Sequence, residues 1–328
     1  MIEIKTAKKE NIKEMNELWN EVVLKDKFFK PISQDDYEKY LYNIPKFNLD
    51  GVKLAYKDNI LVGFGIAVCE GDLTKNENAA AFINSIIVKC EYRHQGIGAK
   101  LLTSLEENLK EVGYNNISVY GHLPSCYAWY IPNTDHHDHP CAPGVSVNSD
   151  LYFFLIHHGY EATGFQDAFH LNLSDYEISP TIKEILDRNK KDNITIELYD
   201  SNKHYGIDEF CKELNIYDFE YVIKDNLKLE HPYPFLVVSE NGKVKGWTGA
   251  MWNEESGRGH FDGIAILPSV RGRGLGKALF SLLAYNSKLN GAKFMTFYTN
   301  LNNHARYIYM GAGFKIIQTF ALMKKKIK

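Results

Sequence analysis

Little in this chain is concentrated in one place. Its 38 basic and 41 acidic side chains leave a formal net charge of −3, so no broad positive field is offered to nucleic acid or to an anionic membrane surface. No run of about 18 apolar residues occurs, which argues against a membrane-spanning helix. The five cysteines, Cys69, Cys90, Cys126, Cys141 and Cys211, are odd in number and widely spaced. Without a C-x-x-C pair they read against a disulfide scaffold or a zinc ribbon. The opening residues MIEIKTAKKENIKE form a polar-interrupted strand rather than an apolar leader, so the expected compartment is the cytoplasm. What the chain does have is 328 residues, 45% of them apolar, enough for two cores of about 150–170 residues each.

An internal repeat organises those residues. Ala81–Gly113 and Gly259–Gly291 each run through an apolar stretch, a short polar turn, an arginine, a Gly-x-Gly, a helical stretch and a closing glycine. A constant offset of 178 residues relates Arg93 to Arg271, Gly98 to Gly276 and Gly113 to Gly291. An ungapped offset of this kind points to tandem duplication. Ile86–Val88 and Ile264–Ile266 read as buried strands. Ile97, Leu101, Leu102, Leu105 and Leu109, like Leu275, Ala278, Leu279, Leu282 and Leu283, recur at helical spacing. Ile117–Tyr120 and Phe294–Tyr298 follow as strands parallel to the first. Upstream lie a helix marked by Ile12, Met15, Leu18, Trp19 and Val22, and hairpins turning at Asp58-Asn59 and Asn241-Gly242. The polar stretch Ser174–Asp192 reads as a linker containing a helix. The expected division is 1–175, a linker 176–192, and 193–328.

The Gly-rich turns carry the chemistry. Arg93-His-Gln95-Gly96-Ile-Gly98 and Arg271-Gly272-Arg273-Gly274-Leu-Gly276-Lys277 each stand between a strand and a helix N-terminus. Unpaired N–H groups and the positive helix end favour an anion there, such as a pyrophosphate. A P-loop would need glycine at Arg271 and Ser or Thr at Ala278. A dinucleotide fingerprint would need glycine at Leu101 and Leu279.

The pattern [RQ]-x-x-G-x-[GA] between strand and helix resembles the acetyl-CoA loop of the GNAT N-acetyltransferase superfamily, once per half. The second half also carries N-x-x-A-x-x-x-Y-x-x-x-G-F, as Asn302, Ala305, Tyr309, Gly313 and Phe314. The resemblance implies an α/β fold, more strictly an α+β mixed sheet, in two tandem GNAT-like domains. Each would hold a mostly antiparallel sheet with splayed parallel central strands, flanked by helices. Acetyl-CoA, as acyl donor, would enter the splay beside Ile266 and the turn residues. A bulge in the fourth strand would free an N–H to polarise the thioester carbonyl. A tyrosine after the fifth strand would protonate the leaving thiolate, and Tyr309 matches it. His260 and Asp262 on the fourth strand are candidate bases. Their first-half equivalents are Phe82 and Asn84, and Leu155 stands at the tyrosine position. The second half is therefore the expected catalytic half.

Between Arg93 and Gly159 the first half holds 24 more residues than the second holds between Arg271 and Gly313, around Trp129–Asn148. This insertion includes Asp135, His136, His137, Asp138, His139 and Cys141. Adjacent histidines point different ways and no H-x-x-x-H spacing exists, so no metal site is assigned. A proline-stiffened loop is expected instead, lining a pocket, capping the first half's site or packing between domains. Lys324, Lys325, Lys326 and Lys328 read as a solvated strand end, and His157-His158 as a helix C-terminus. The acceptor is expected to be a small-molecule or peptide amine. A CoA-binding sensor without turnover, and a transferase using another acyl donor, are the alternatives.

Overall fold

A computed structural model of the chain describes residues 1–69, 72–76, 78–119 and 126–327. Tyr120 and Lys328, named above, lie outside these. In chain order the elements are β1 (Ile2–Thr6), α1 (Ile12–Asp26), α2 (Gln34–Asn43), β2 (Val52–Lys57), β3 (Ile60–Cys69), β4 (Ala80–Val88), α3 (Ile97–Glu111), β5 (Asn116–Val119), the short β6 (Trp129–Tyr130), β7 (Asp138–His139) and β8 (Val145–Ser146), α4 (Asp150–His157) and β9 (Glu161–Asn172). There follow α5 (Pro180–Lys190), β10 (Ile194–Leu198), α6 (Ile207–Leu214), α7 (Tyr217–Leu227), β11 (Leu236–Glu240), β12 (Lys243–Thr248), β13 (Arg258–Gly259), β14 (Ile264–Ile266), α8 (Leu275–Leu289), β15 (Phe294–Asn300), α9 (Arg306–Gly311) and β16 (Lys315–Lys326).

Packing groups these into two units, Met1–Asp167 with Gln318–Lys328, and Ala168–Ile317. The division differs from the one read along the sequence in two ways. Strand β9 passes from the first unit into the second, and most of β16 returns to the first. The stretch taken as a linker is largely α5, whose Ile182 and Ile185 pack on Ala278 of α8.

In the first unit β1, β2, β3 and β4 pair antiparallel in sequence order, β4 pairs parallel with β5, and β16 lies antiparallel on β5. Asp58 and Asn59 turn the β2–β3 hairpin with φ of 51° and 64°, the signature of a two-residue primed turn. The amphipathic face of α1 (Met15, Leu18, Trp19, Val22) packs with Phe64, Ile66 and Phe82 of the sheet. Leu102, Leu105 and Leu109 of α3 pack with Ile83, Ile117, Ala321 and Met323. Lys325 is not simply solvated. Its ammonium bonds both carboxylate oxygens of Glu106 at 2.9 Å and lies over the Tyr160 ring.

In the second unit β10, β11, β12 and β14 pair antiparallel, and β13 pairs parallel with β15. Leu275, Leu279, Phe280 and Leu283 of α8 join Met295, Phe297 and Phe314 in the core. The duplication is visible in the backbone. Helices α3 and α8 are both 15 residues long, are offset by 178 positions, and end at glycines with φ of 95° and 92°. Both units are thus mixed, mostly antiparallel sheets flanked by helices.

Candidate active site

The two turns close alike. A short 3₁₀ segment, Cys90–Tyr92 or Pro268–Val270, leads to the arginine. The Nε of Arg93 donates to the Val88 carbonyl at 3.1 Å, and that of Arg271 to the Ile266 carbonyl at 2.9 Å. Each arginine therefore laces its turn to the end of the preceding strand. Arg93 also pairs bidentately with Asp26 at 2.6 and 3.2 Å, whereas Arg271 stays exposed. Gln95 accepts from Lys57 and donates to the Glu91 carbonyl.

Gly96 and Gly274 are the N-caps of α3 and α8, with φ of 77° and 81° and no side-chain cap. The first-turn N–H groups are left for a ligand or water. A Cβ added at Gly96 or Gly272 would meet nothing within 4 Å, so the backbone there is open to an incoming anion. Gly98 and Gly276 serve the neighbouring helices instead, since a Cβ there would meet Phe154 at 3.5 Å or Ile308 at 3.1 Å. Lys277 and Asn302 are exposed, and the Asn302 N–H bonds the Asn300 side chain.

The fourth strand opens beside each turn. In the first unit Ala80–Ile83 pair with Asn116–Val119. The register against β3 then slips: Ile66 faces Ser85 but Ala67 faces Ile83, so Asn84 is the extra residue of a bulge. In the second unit the interruption is longer. Arg258 and Gly259 pair with β15, Ile264–Ile266 pair with β12, and His260–Gly263 lie between the two ladders.

His260 and Asp262 fall in this interval and meet each other, Nε2 to Oδ1 at 2.5 Å. The His260 ring stacks on Trp252 at 4.2 Å, and its Nδ1 is buried without a hydrogen-bond partner. Phe261, between them, turns its ring toward Tyr309 at 6.1 Å. Tyr309 is 4% exposed and stands among Phe169, Phe280 and Phe297 at 5.5, 4.7 and 4.7 Å. Burial pushes its hydroxyl pKa up to about 12, because the phenolate would be poorly solvated there. The structure thus joins His260 to Asp262 directly, and Phe261, the residue between them, packs on Tyr309.

The equivalent place in the first unit is filled. Asn84, fully buried, donates to the Tyr40 hydroxyl at 3.0 Å and accepts from Tyr127 at 2.8 Å. Tyr127 stacks on Trp19 at 4.1 Å. Leu155 is buried, as is Phe82.

The sequence matches the acetyltransferase (GNAT) family over residues 15–129 and again over 196–314. The chain belongs to that family. Among solved structures, it resembles the GCN5-related glucosamine N-acetyltransferase region of a fungal multi-domain GH3 β-N-acetylglucosaminidase, with 14% identity, a TM-score of 0.65, and coverage of 99% of this chain and 38% of that one. It thus spans well under half of that larger protein. A GCN5-related N-acetyltransferase from Sphaerobacter thermophilus is similar at 13% identity and a TM-score of 0.58, covering 100% and 96% of the two chains. A tandem GNAT protein from the clavulanic acid biosynthesis pathway is similar at 11% identity and a TM-score of 0.53, covering 99% and 98%. No curated protein sequence matches.

In this GNAT chain the inserted loop folds against the first unit. Trp129 and Tyr130 pair with His139 and Asp138, and Trp129 packs on Phe28 and Phe320. Cys126 and Cys141 are joined by a disulfide, a bridge that the sequence reading against a disulfide scaffold missed. Wide spacing argues against a dense framework, not against one bridge closing one loop. Among the described residues no group of three His, Cys, Asp or Glu could hold a metal, and no helix is long and apolar enough to cross a membrane. Trp252 and Tyr127 were also missed. Neither lies in a motif, and only the fold brings them to the fourth strands.

Proposed function

We propose that the chain is an acetyl-CoA-dependent N-acetyltransferase that passes the acetyl group directly to a primary amine, with the chemistry in the second unit. The observation that supports this most is the interrupted strand His260–Gly263. It sets a carboxylate and an imidazole, hydrogen-bonded to each other, just ahead of the strand that leads into a turn whose N–H groups are open.

Acetyl-CoA would supply an activated thioester. The N–H groups at Gly274 and Gly276, with the charge of Arg271, Arg273 and Lys277, would hold its pyrophosphate; Ile266 and Asn302 would flank it. Arg93, Gln95, Gly96 and Gly98 would offer the first unit's counterpart. Asp262, oriented by His260, would take the proton that the amine loses as its nitrogen bonds to the acyl carbon. As the carbon–sulfur bond breaks, Tyr309 would give its proton to the departing sulfur. Tyr309 holds that proton at neutral pH, as any tyrosine near its ordinary pKa of about 10 does. In the first unit Tyr127 and Tyr40 engage both ends of the Asn84 amide, and an amide at that position cannot act as the base that Asp262 offers in the second. That half is read as donor-binding at most.

The acceptor is taken to be a small-molecule or peptide amine, with no nucleic-acid or membrane partner; the Cys126–Cys141 disulfide weighs against the reducing cytoplasm expected from the sequence. The test is thiol release from acetyl-CoA over a panel of amines, amino sugars and peptide N-termini included, with Tyr309→Phe beside the unaltered protein. Amine-dependent release that falls at least about tenfold in the variant supports the reading. Release untouched by the substitution moves the chemistry elsewhere, and no release with any amine favours a CoA sensor.

A further inference from the structure

The two Gly-rich turns match in backbone but not in surroundings. In the second unit, α5 lies along α8 and reaches the turn with its last residues. Arg188 Nη2 donates to the Arg273 carbonyl at 2.8 Å, and Asn189 Nδ2 donates to the same oxygen at 3.2 Å. Asn189 is 2% exposed and its amide also bonds the Ile185 carbonyl at 2.8 Å. Asp192, just beyond the helix, pairs with Arg273 Nη1 at 2.5 Å. The Ile185 side chain lies 3.0 Å from where a Cβ on Gly274 would stand. At its other end the same layer is pinned by Lys288, whose ammonium donates to the Tyr176 carbonyl at 2.9 Å. In the first unit nothing lies within 4 Å of a Cβ on Gly96, and among the described residues no group donates to the equivalent carbonyl, that of Gln95.

The geometry of a trans peptide gives this contact a consequence. Across one peptide plane the C=O and the following N–H point in opposite directions. Two donors that hold the Arg273 oxygen toward α5 therefore hold the Gly274 N–H away from it. That N–H belongs to the N-cap of α8, where an anion would be bound. A glycine with φ of 81° next to an exposed arginine would otherwise have wide freedom. Ordering it in advance removes that cost from ligand binding.

We propose that α5 is a positioning helix for the donor turn of the second unit: Arg188 and Asn189, acting through the Arg273 carbonyl, aim the Gly274 N–H at the CoA pyrophosphate. The second unit then binds CoA more tightly than the first, whose turn has no such brace. This rests on the acetyl-CoA reading above.

The experiment is calorimetric titration of the full-length protein with CoA, with acetyl-CoA steady-state kinetics alongside, for the unaltered chain, Arg188→Ala, Asn189→Ala and Arg188→Lys. Loss of one carbonyl donor is expected to weaken the tighter CoA site about five- to tenfold and raise the donor KM equally, with kcat within about twofold. Arg188→Lys, which keeps a donor, should recover most of the affinity. Arg188 is exposed, so its variants report even if Asn189→Ala unfolds. Unchanged affinity in the Arg188 variants, with normal binding by the unaltered chain, overturns the positioning role alone. Tighter binding overturns it in favour of α5 as a cover over the turn. Absence of CoA binding by the unaltered chain removes both this inference and the reading beneath it.

Discussion

Tyr309 sits where water cannot solvate a phenolate, and its pKa rises to about 12 as a result. The sign of the linkage follows. Between pH 10 and pH 12 the unfolded chain loses this proton and the folded chain keeps it, so stability falls as pH rises through that window. Tyr309→Phe should reduce the alkaline loss, by up to roughly 2 kcal/mol near pH 12, when denaturant unfolding of the two proteins is compared across that range. His260 presents a different case. Its stack on Trp252 and its bond to Asp262 fix the ring, so Trp252→Ala should lower kcat with little change in the donor KM, read from donor-saturation kinetics. Tyr309, His260 and Asp262 could be picked out of the sequence because each sits at a fixed distance from a motif. Trp252 could not, because its place depends on how the loop after β12 folds back onto the interrupted strand, where the His260 N–H donates to the Trp252 carbonyl.

The turns were legible at the scale of elements. Strand, arginine, Gly-x-Gly and helix follow one another in both halves, and that order needs no tertiary information to be recognised; the left-handed N-cap at Gly96 and Gly274 is seen only in the structure. What surrounds each turn is tertiary. Gly274→Ala puts a Cβ at a φ of 81° and 3.0 Å from Ile185, and should destabilise by about 1–2 kcal/mol or more while raising the donor KM. Gly96→Ala meets the same backbone strain in open space and should cost only that strain. Thermal melts and donor kinetics of the pair separate the two contributions. The disulfide closes a span of 15 residues, which in the chain-entropy account is worth about 3 kcal/mol. A reductant, or Cys126→Ser, should lower the melting temperature accordingly. It should also loosen Tyr127 from Asn84, seen as faster hydrogen exchange in α1 and β4.

For the whole molecule, the duplication was plain in the sequence but the exchange of strands was not. A strand's partner is set by pairing that no periodicity encodes, and chain order alone assigned β16 to the second half. Its Ala321 and Met323 are buried with Ile83, Leu105 and Ile117 in the first unit. Met323→Ala should therefore cost about 2–5 kcal/mol and strip exchange protection from β4 and β5, some 200 residues away in sequence.

That placement bears on how the chain is made. The first 167 residues leave the ribosome before the 150 residues of the second unit, and at about 5–20 residues per second those take roughly 8–30 seconds to follow. For that interval β5 presents an unpaired edge to the cell, beside a core that still lacks Ala321 and Met323. A nascent chain in this state is a natural client for a chaperone. A stall between residues 168 and 317 would leave behind an exposed strand edge rather than a finished domain.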